Sequence, residues 1–228
     1  MATALRGNIH WHDFGPITGA ELSGNRPALI ISNNFLNKSL TTAITAPTSK
    51  TEPQERFRRQ HIWLNESESY ASARQLKSVL QENLGEYLGR ASSQEMEDVI
   101  ASITGRICRG QTPGLLETPQ GLRPIQRGTV LQHLAQAQRQ EAANGLLVLD
   151  YNAGNHMAVV VDLEYRARNA DSPVAVPVRI NGEALPASAL VHRISSLDLS
   201  QREFTPIATA DSEDTEQAIG RLIQMIEG

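Results

Sequence analysis

Three polar residues in the first quarter of the chain have the side-chain types that phosphate chemistry requires. Arg26 stands directly before Pro27 at the start of an apolar run, and its guanidinium stays charged and offers a fork of donors to two phosphate oxygens. Thr48 supplies a hydroxyl donor, and Glu21 is suited either to accept a proton or to orient Arg26. A surface arginine, a turn threonine and a loop glutamate are the structural alternatives.

His10 and His12 offer a second kind of chemistry. Alternate residues of a strand project to one face about 6.5 Å apart, so the two imidazoles could act as a general acid and a general base. Exposed strand positions are the simpler interpretation. No cysteine or histidine cluster has the spacing of a zinc site, so the sequence implies neither a metal nor a cofactor.

A run of cations follows Thr48 and consists of Arg56, Arg58, Arg59 and His61. Such a run attracts phosphates and makes binding dependent on salt. An ordinary solvated loop is the structural alternative.

The composition limits the class of protein. The chain has 228 residues, of which 40% are apolar but only 4% are aromatic, so its core must be aliphatic. These values exclude collagen-like, low-complexity and disulfide-rich chains. A single cysteine, Cys108, fits a reducing compartment, and no apolar run approaches the roughly 18 residues that cross a bilayer. We therefore expect a cytoplasmic protein without a membrane segment.

Charge differs between the two halves of the chain. The net charge is +1 over residues 1–110 and −5 over residues 111–228. If the protein binds nucleic acid, the first half is the part suited to do so.

The elements that must position these residues occur twice. Each half begins with an Arg-Gly pair, at Arg6-Gly7 and Arg127-Gly128, and continues through short apolar strands into an amphipathic helix. Proline and glycine are dense between Arg109 and Pro124, which is typical of a linker. The sequence predicts an internal duplication, with domains at 1–108 and 125–228 and a linker at 109–124.

Both helices have recognisable signals. Ser92 and Glu95 have the spacing of a capping box, and Asp211 or Ser212 is the candidate N-cap of the second helix. The first apolar stripe is Met96, Val99, Ile100, Ile103 and Ile107, and the second is Ala218, Ile219, Leu222, Ile223 and Ile226. Stripes at this spacing indicate helix faces packed on a core.

Four motifs of the first half occur in a familiar order. They are Arg6-Gly7-Asn8-Ile9, the block from Gly19 and Glu21 through Arg26-Pro27 to Asn33, Ala46-Pro47-Thr48-Ser49, and Gln75-Leu76-Lys77-Ser78-Val79. In this order they resemble the PemK/MazF family of toxin endoribonucleases from toxin–antitoxin modules, over about residues 5–108. The second half resembles the family in outline only, since Asn144-Gly145 take the place of Arg26-Pro27 and Glu164 falls near that of Thr48.

The resemblance implies a mainly β fold with helices. We expect two tandem SH3-like β-barrels of the PemK/MazF/CcdB-like type, each with a C-terminal helix. Family members are usually homodimers, so two fused copies imply a monomer with internal pseudo-two-fold symmetry, an intrachain pseudo-dimer with one intact site.

The resemblance also implies an activity. We expect a toxin endoribonuclease that cleaves single-stranded RNA without metal, through 2′-OH attack, to leave a 2′,3′-cyclic phosphate and a 5′-OH. A cognate antitoxin is the implied protein partner. Arg26, Thr48 and Glu21 fall on catalytic positions. The implied RNA-binding residues are Gln75, Arg74, Lys77, Arg56, Arg58 and Arg59.

Some positions depart from the family pattern. Ala20, Leu22 and Arg74 differ from it, which leaves open a degenerate member that binds RNA or antitoxin without cutting. A gyrase-inhibitor-like toxin is a further alternative. Those toxins rely on an aromatic C-terminal tail, whereas this sequence ends in Gln224-Met225-Ile226-Glu227-Gly228.

Overall fold

A computed structural model describes residues 4–16, 18–109, 113–118, 121–133, 145–165 and 174–227. It divides the chain into two compact units, one of residues 1–108 with 223–228 and one of residues 109–222. Both are mainly β, with antiparallel strands. Among the helices in these ranges, none has the length and apolar character needed to cross a membrane.

The first unit contains seven described strands. They are β1 (Asn8–Asp13), β2 (Asn25–Ile30), β3 (Thr42–Ser49), β4 (His61–Leu64), β5 (Ser69–Ser72), β6 (Lys77–Leu80) and β7 (Tyr87–Arg90). Its helices are α1 (Asn34–Ser39) and α2 (Ser93–Arg109), with short 3₁₀ turns at Glu55–Gln60 and Gln81–Asn83. The strand order is β6-β3-β2-β1-β7, and β5 pairs with both β4 and the end of β3.

The second unit has eight described strands. They are β8 (Gly114–Thr118), β9 (Gly121–Ile125), β10 (Thr129–His133), β11 (Gly145–Asn152), β12 (Met157–Glu164), β13 (Ala175–Ile180), β14 (Glu183–Asp198) and β15 (Phe204–Thr209). A 3₁₀ turn at Leu199–Gln201 follows β14, and α3 (Ser212–Glu227) follows β15. The order β14-β12-β11-β10-β15 is that of β6-β3-β2-β1-β7 in the first unit.

The two Arg-Gly pairs adopt the same conformation. Gly7 and Gly128 have φ values of +86° and +83°, a region that favours glycine. Each glycine N–H donates to a carbonyl of the matching strand of its unit, β2 or β11, and each glycine carbonyl accepts from the N–H of the residue just before its helix cap. These partners are Ile30 and Ala91 in the first unit and Val148 and Ala210 in the second. Matched contacts of this kind are expected of an internal duplication.

The helix predictions are confirmed. The Ser92 N–H donates to the Glu95 carboxylate over 2.7 Å, and the Glu95 N–H donates to Ser92 Oγ over 3.2 Å, which completes the capping box. All five residues of the first apolar stripe are buried. In the second stripe Ile223 is half-buried and the other four are buried.

The predicted linker at 109–124 is wrong in part. Its described residues include β8 and most of β9, which pair in a hairpin, and Leu116 is 1% exposed within a core cluster of the second unit. Gly121, with φ of +99°, begins the returning strand. Glycine and proline therefore mark a turn and an edge strand here. Residues 110–112 and Pro119 lie outside the described ranges.

Candidate active site

Arg26 lies near the start of β2, and backbone carbonyls hold its guanidinium. Nε donates to the Ser23 carbonyl over 2.8 Å, Nη2 donates to the same carbonyl, and Nη1 donates to the Thr48 carbonyl over 3.2 Å. Within the described part of the chain no carboxylate pairs with this cation. Burial lowers the pKa of Arg26 because it disfavours the charged form. Three of the five N–H donors are used, which leaves two for a ligand.

Strand register places three further polar residues on the same face as Arg26. His12 of β1 is directly opposite Arg26, and Thr45 of β3 is directly opposite Lys77 of β6. Thr45 is opposite Ile30, which is four residues along β2 from Arg26. Because residues an even number apart in a strand share a face, all four side chains project from one side of the sheet. We call His12, Arg26, Thr45 and Lys77 the Arg26 face.

Glu21 is a buried partner of this face. Its carboxylate lies 3.1 Å from Lys77 Nζ, and its side chain is 2% exposed against 15% for Lys77. The carboxylate therefore neutralises a cation that the sequence analysis assigned to RNA. In this arrangement neither Glu21 nor Lys77 presents a free charge to a ligand.

Gln75 bridges the segment that carries Glu21. Its side-chain amide accepts from the Leu22 N–H over 2.6 Å and donates to the Ala20 carbonyl over 2.9 Å. The residue is 8% exposed. The amide thus fixes residues 20–22, and the contact of Gln75 with RNA stays a prediction.

Thr48 is completely buried, at the end of β3 beside β5. Its Oγ1 has no hydrogen-bond partner among the residues that the structure describes. The hydroxyl is closed off from solvent in this arrangement, and its contact with a phosphate stays a prediction. The Thr48 carbonyl takes part instead, through its bond from Arg26.

The two histidines of β1 differ in exposure. His10 is 1% exposed, so the expectation of an exposed position is wrong for this residue. His12 is half-buried, and its Nδ1 lies 3.2 Å from the Asn83 carbonyl. Burial lowers the pKa of His12, and the Lys77 charge lowers it further, whereas the Asn83 contact and Asp13 oppose the shift.

A second cationic group surrounds the Phe57 ring. The Arg74 guanidinium stacks 3.8 Å from the ring centroid and that of Arg56 lies 4.6 Å from it. Burial, with help from the charges of Arg106 and Arg56, lowers the pKa of Arg74 to about 10. Arg74 therefore remains a cation at neutral pH, and the structure brings it together with Arg56 against the same aromatic ring.

The other two arginines predicted to contact RNA, Arg58 and Arg59, lie outside the group around Phe57. Arg58 forms ion pairs with Glu52 at 2.7 Å and Glu55 at 3.2 Å, so its charge is already balanced. Arg59 is exposed, and its carbonyl accepts from Ser102 Oγ.

The second unit differs from the first at the positions of Thr48 and Lys77 but has a histidine at that of His12. When Gly7 is matched to Gly128 and Ile30 to Val148, register places Leu163 at the position of Thr48 and Ser195 at that of Lys77. Glu164, expected near Thr48, is one residue further along. Asn144, the counterpart of Arg26, lies outside the described residues. His133 occupies the position of His12.

Metal ligation has no candidate in the described ranges, where no three His, Cys, Asp or Glu side chains are grouped to hold an ion. A cleft of about 510 Å³ in the first unit is lined by residues that include Arg6, Arg90, Met96 and Glu227, and by none of the Arg26 face. This cleft therefore contains none of the predicted site residues.

Two features of the site escaped sequence reasoning. The carbonyls of Ser23 and Thr48 that fix Arg26 carry no sequence signal, since every residue has a carbonyl. The pairing of His12 with Arg26 could have been found from strand register, because both residues lie in short strands joined by one connection.

Comparison with known proteins gives one family match. The family model of PemK-like, MazF-like toxins of type II toxin–antitoxin systems matches residues 5–104. No curated protein matches the chain.

Several solved structures are similar to part of the chain. An endoribonuclease from a mycobacterial species, in complex with its cognate antitoxin, is 21% identical with a TM-score of 0.40, over 47% of this chain and 98% of its own. MazF from Deinococcus radiodurans is 21% identical with a TM-score of 0.40, over 46% and 96%. Toxin MazF-mt6 from Mycobacterium tuberculosis is 20% identical with a TM-score of 0.32, over 40% and 94%.

The matched stretch runs from β1 into α2 and includes Arg26, Thr48 and Gln75. Residues 5–104, less than half of the chain, are thus similar to the PemK-like, MazF-like toxins of type II toxin–antitoxin systems.

Proposed function

We propose that the first unit is a toxin endoribonuclease that cleaves single-stranded RNA without a metal ion. The 2′-OH attacks the adjacent phosphorus, the bond to the 5′-oxygen breaks, and the products end in a 2′,3′-cyclic phosphate and a 5′-OH. Arg26 binds the scissile phosphate and stabilises the charge that develops on its oxygens. The proposed place of action is the cytoplasm.

One observation carries this proposal. Arg26 is a partly buried cation that two backbone carbonyls hold in place and that has no carboxylate partner within the described residues. A fixed cation in a partly desolvated position is costly unless an anion binds it. A phosphate with two free oxygens matches the two N–H donors that remain on the guanidinium.

The pair of cations Arg56 and Arg74 supports a single-stranded substrate. Two guanidinium groups against one aromatic ring, Phe57, are suited to phosphates and to unstacked bases. The second unit, which has neither Lys77 nor Thr48 at the matching positions, serves no catalytic role in this proposal. We also propose that one chain replaces the usual homodimer and that a cognate antitoxin, as in the mycobacterial complex, is its protein partner.

A second candidate function is supported by two observations. The Thr48 hydroxyl is buried and Glu21 is tied to Lys77, so two of the three expected catalytic side chains do not face a ligand. Both facts suit a member that binds RNA or antitoxin without cutting. Cleavage decides between the two candidates.

The test is cleavage of a fluorescent single-stranded RNA in a buffer that contains EDTA. We expect the unaltered protein to cleave it and to leave 2′,3′-cyclic phosphate ends, which are identified by mass spectrometry. Arg26→Lys keeps the charge but loses the fork, so we expect it to lower the rate by about 10²-fold, the order found when one preorganised donor is removed. Arg123→Lys in the second unit, where the side chain is exposed, is the matched control.

Each outcome has a clear meaning. RNA binding by the unaltered protein without cleavage would replace the enzyme by the second candidate. Cleavage by Arg26→Lys at the full rate would remove Arg26 from the site. Elution of the protein as a dimer in light-scattering chromatography would contradict the replacement of a homodimer by one chain.

A further inference from the structure

The proposed reaction requires a group that takes the proton of the 2′-OH, and the expected groups are unsuited to this role. The Glu21 carboxylate is 2% exposed and ion-paired with Lys77. Position 20 is an alanine, which has no basic group. A base must instead come from a side chain that faces the substrate near Arg26.

His12 occupies such a place. It is directly opposite Arg26 in the β1–β2 register, and side chains of directly opposite residues begin about 5 Å apart on one face. The ring is partly exposed, in contrast to the buried His10. A substrate phosphate bound at Arg26 therefore lies on the face from which the His12 ring projects.

The contacts of His12 define its tautomer. Nδ1 lies 3.2 Å from the Asn83 carbonyl, and because a carbonyl can only accept, Nδ1 carries the proton. Nε2 then holds a lone pair, and it makes no hydrogen bond with any residue that the structure describes. The Phe14 ring packs edge-on against the imidazole, with centroids 4.7 Å apart, and restricts its rotation. A neutral imidazole with a fixed ring and a free lone pair has the properties of a general base.

We propose that His12 is the general base of the cleavage reaction, an assignment that rests on the proposed function. Nε2 takes the 2′-OH proton as the bond from the 2′-oxygen to phosphorus forms. The bond from phosphorus to the 5′-oxygen breaks, and the 5′-oxygen takes a proton from solvent. The imidazolium returns its proton to solvent, so no proton or water is consumed overall.

The charges around His12 are consistent with a neutral ring. Arg26 on β2 and Lys77 on β6 are cations on its face, and Asp13 on β1 is the neighbouring anion. Burial and Lys77 outweigh Asp13, so the pKa of His12 lies below its ordinary value. The ring is then neutral at pH 7, and it becomes protonated only in more acidic solution.

The test is the pH dependence of single-turnover cleavage by the full chain. His12→Asn keeps a donor for the Asn83 carbonyl, since its amide group lies where Nδ1 lies, but it removes Nε2. We expect the rate at pH 7 to fall by about 10²- to 10⁴-fold, the usual contribution of a general base. We also expect the acidic limb of the profile, below about pH 6.5, to disappear. The matched control is His133→Asn, which alters the same position of the second unit and should leave both the rate and the limb unchanged.

Separate outcomes overturn separate claims. If His12→Asn cleaves at the unaltered rate with the same acidic limb, while Arg26→Lys is impaired, the base assignment is wrong and the proposed function remains. If His12→Asn loses rate but keeps the acidic limb, His12 positions another group and is not the base. If the unaltered protein cleaves no RNA at any pH, both the proposed function and the base assignment are overturned. Thermal unfolding and RNA binding of His12→Asn must match those of the unaltered protein, and a loss of binding equal to the loss of rate would also overturn the assignment.

Discussion

The buried pair Glu21–Lys77 makes a strong prediction about stability. Glu21→Gln removes a charge whose side chain is 2% exposed and leaves Lys77, 15% exposed, without its counter-ion. Two unit charges 3.1 Å apart attract by roughly 5 kcal/mol at an effective dielectric constant of about 20. Part of this attraction offsets the cost of removing the two charged groups from water, and the glutamine can still accept a hydrogen bond from Lys77. We therefore expect a loss of about 2–3 kcal/mol in the free energy of unfolding, somewhat below the usual 3–5 kcal/mol for breaking a buried pair.

The assay is urea unfolding followed by tryptophan fluorescence. Both tryptophans, Trp11 and Trp63, belong to the first unit, so the signal reports on the unit that contains the pair. With a urea dependence of about 2 kcal/mol per molar, the middle of the usual range, the midpoint should fall by about 1–1.5 M.

An exposed pair provides the control. Arg58 and Glu52 are closer, at 2.7 Å, but their side chains are 57% and 64% exposed. Water screens such a pair, so Glu52→Gln should leave the midpoint unchanged. Equal midpoint shifts for Glu21→Gln and Glu52→Gln would refute the claim that burial, and not the distance between the charges, determines how much the Glu21–Lys77 pair stabilises the fold.

Two further predictions concern single residues. Burial alone would raise the pKa of Glu95, but hydrogen bonds from Asn65 and Ser92 outweigh burial and lower that pKa. The ionised carboxylate therefore stabilises the folded state. This contribution is complete above the unfolded pKa of about 4.3 and is lost as the pH falls through the lower folded pKa. In urea titrations, the deficit of Glu95→Gln should be constant near neutral pH and shrink below about pH 4, and a deficit independent of pH would contradict this assignment. Arg74→Ala should weaken RNA binding and reduce the slope of log affinity against log salt by about 0.7, as expected for one lost phosphate contact on a single strand. Arg58→Ala should leave the slope unchanged because its charge is already balanced by carboxylates, so equal slopes for the two variants would show that Arg74 touches no phosphate.

Local signals in the sequence were sufficient to predict the helices and the repeated strand starts. The capping box of Ser92 and Glu95 depends on residues three apart, and the positive φ of Gly7 and Gly128 depends on the absence of a side chain. Such features are determined within one turn of chain. The sequence therefore predicts them without knowledge of the tertiary fold.

Contacts between distant residues could not be predicted in the same way. Gln75 reaches Ala20 across 55 positions, and the ion pair of Glu21 spans 56. Neither contact follows from residue type, because glutamine and lysine side chains are equally common on solvated surfaces and in contact with RNA. The hairpin at residues 114–125 was missed because proline and glycine suggested a connection, whereas the burial of Leu116 and Ile125 makes it part of the core.

The support of Arg26 by main-chain oxygens has a consequence for how this site can vary. The carbonyls at positions 23 and 48 are present whatever amino acid occupies those positions, so the direction of the guanidinium is encoded by the path of the backbone. Neither side chain by itself sets the direction of the arginine, although both are buried in the fold. A substitution at position 23 or 48 would redirect the guanidinium only by displacing the main chain that carries the carbonyl.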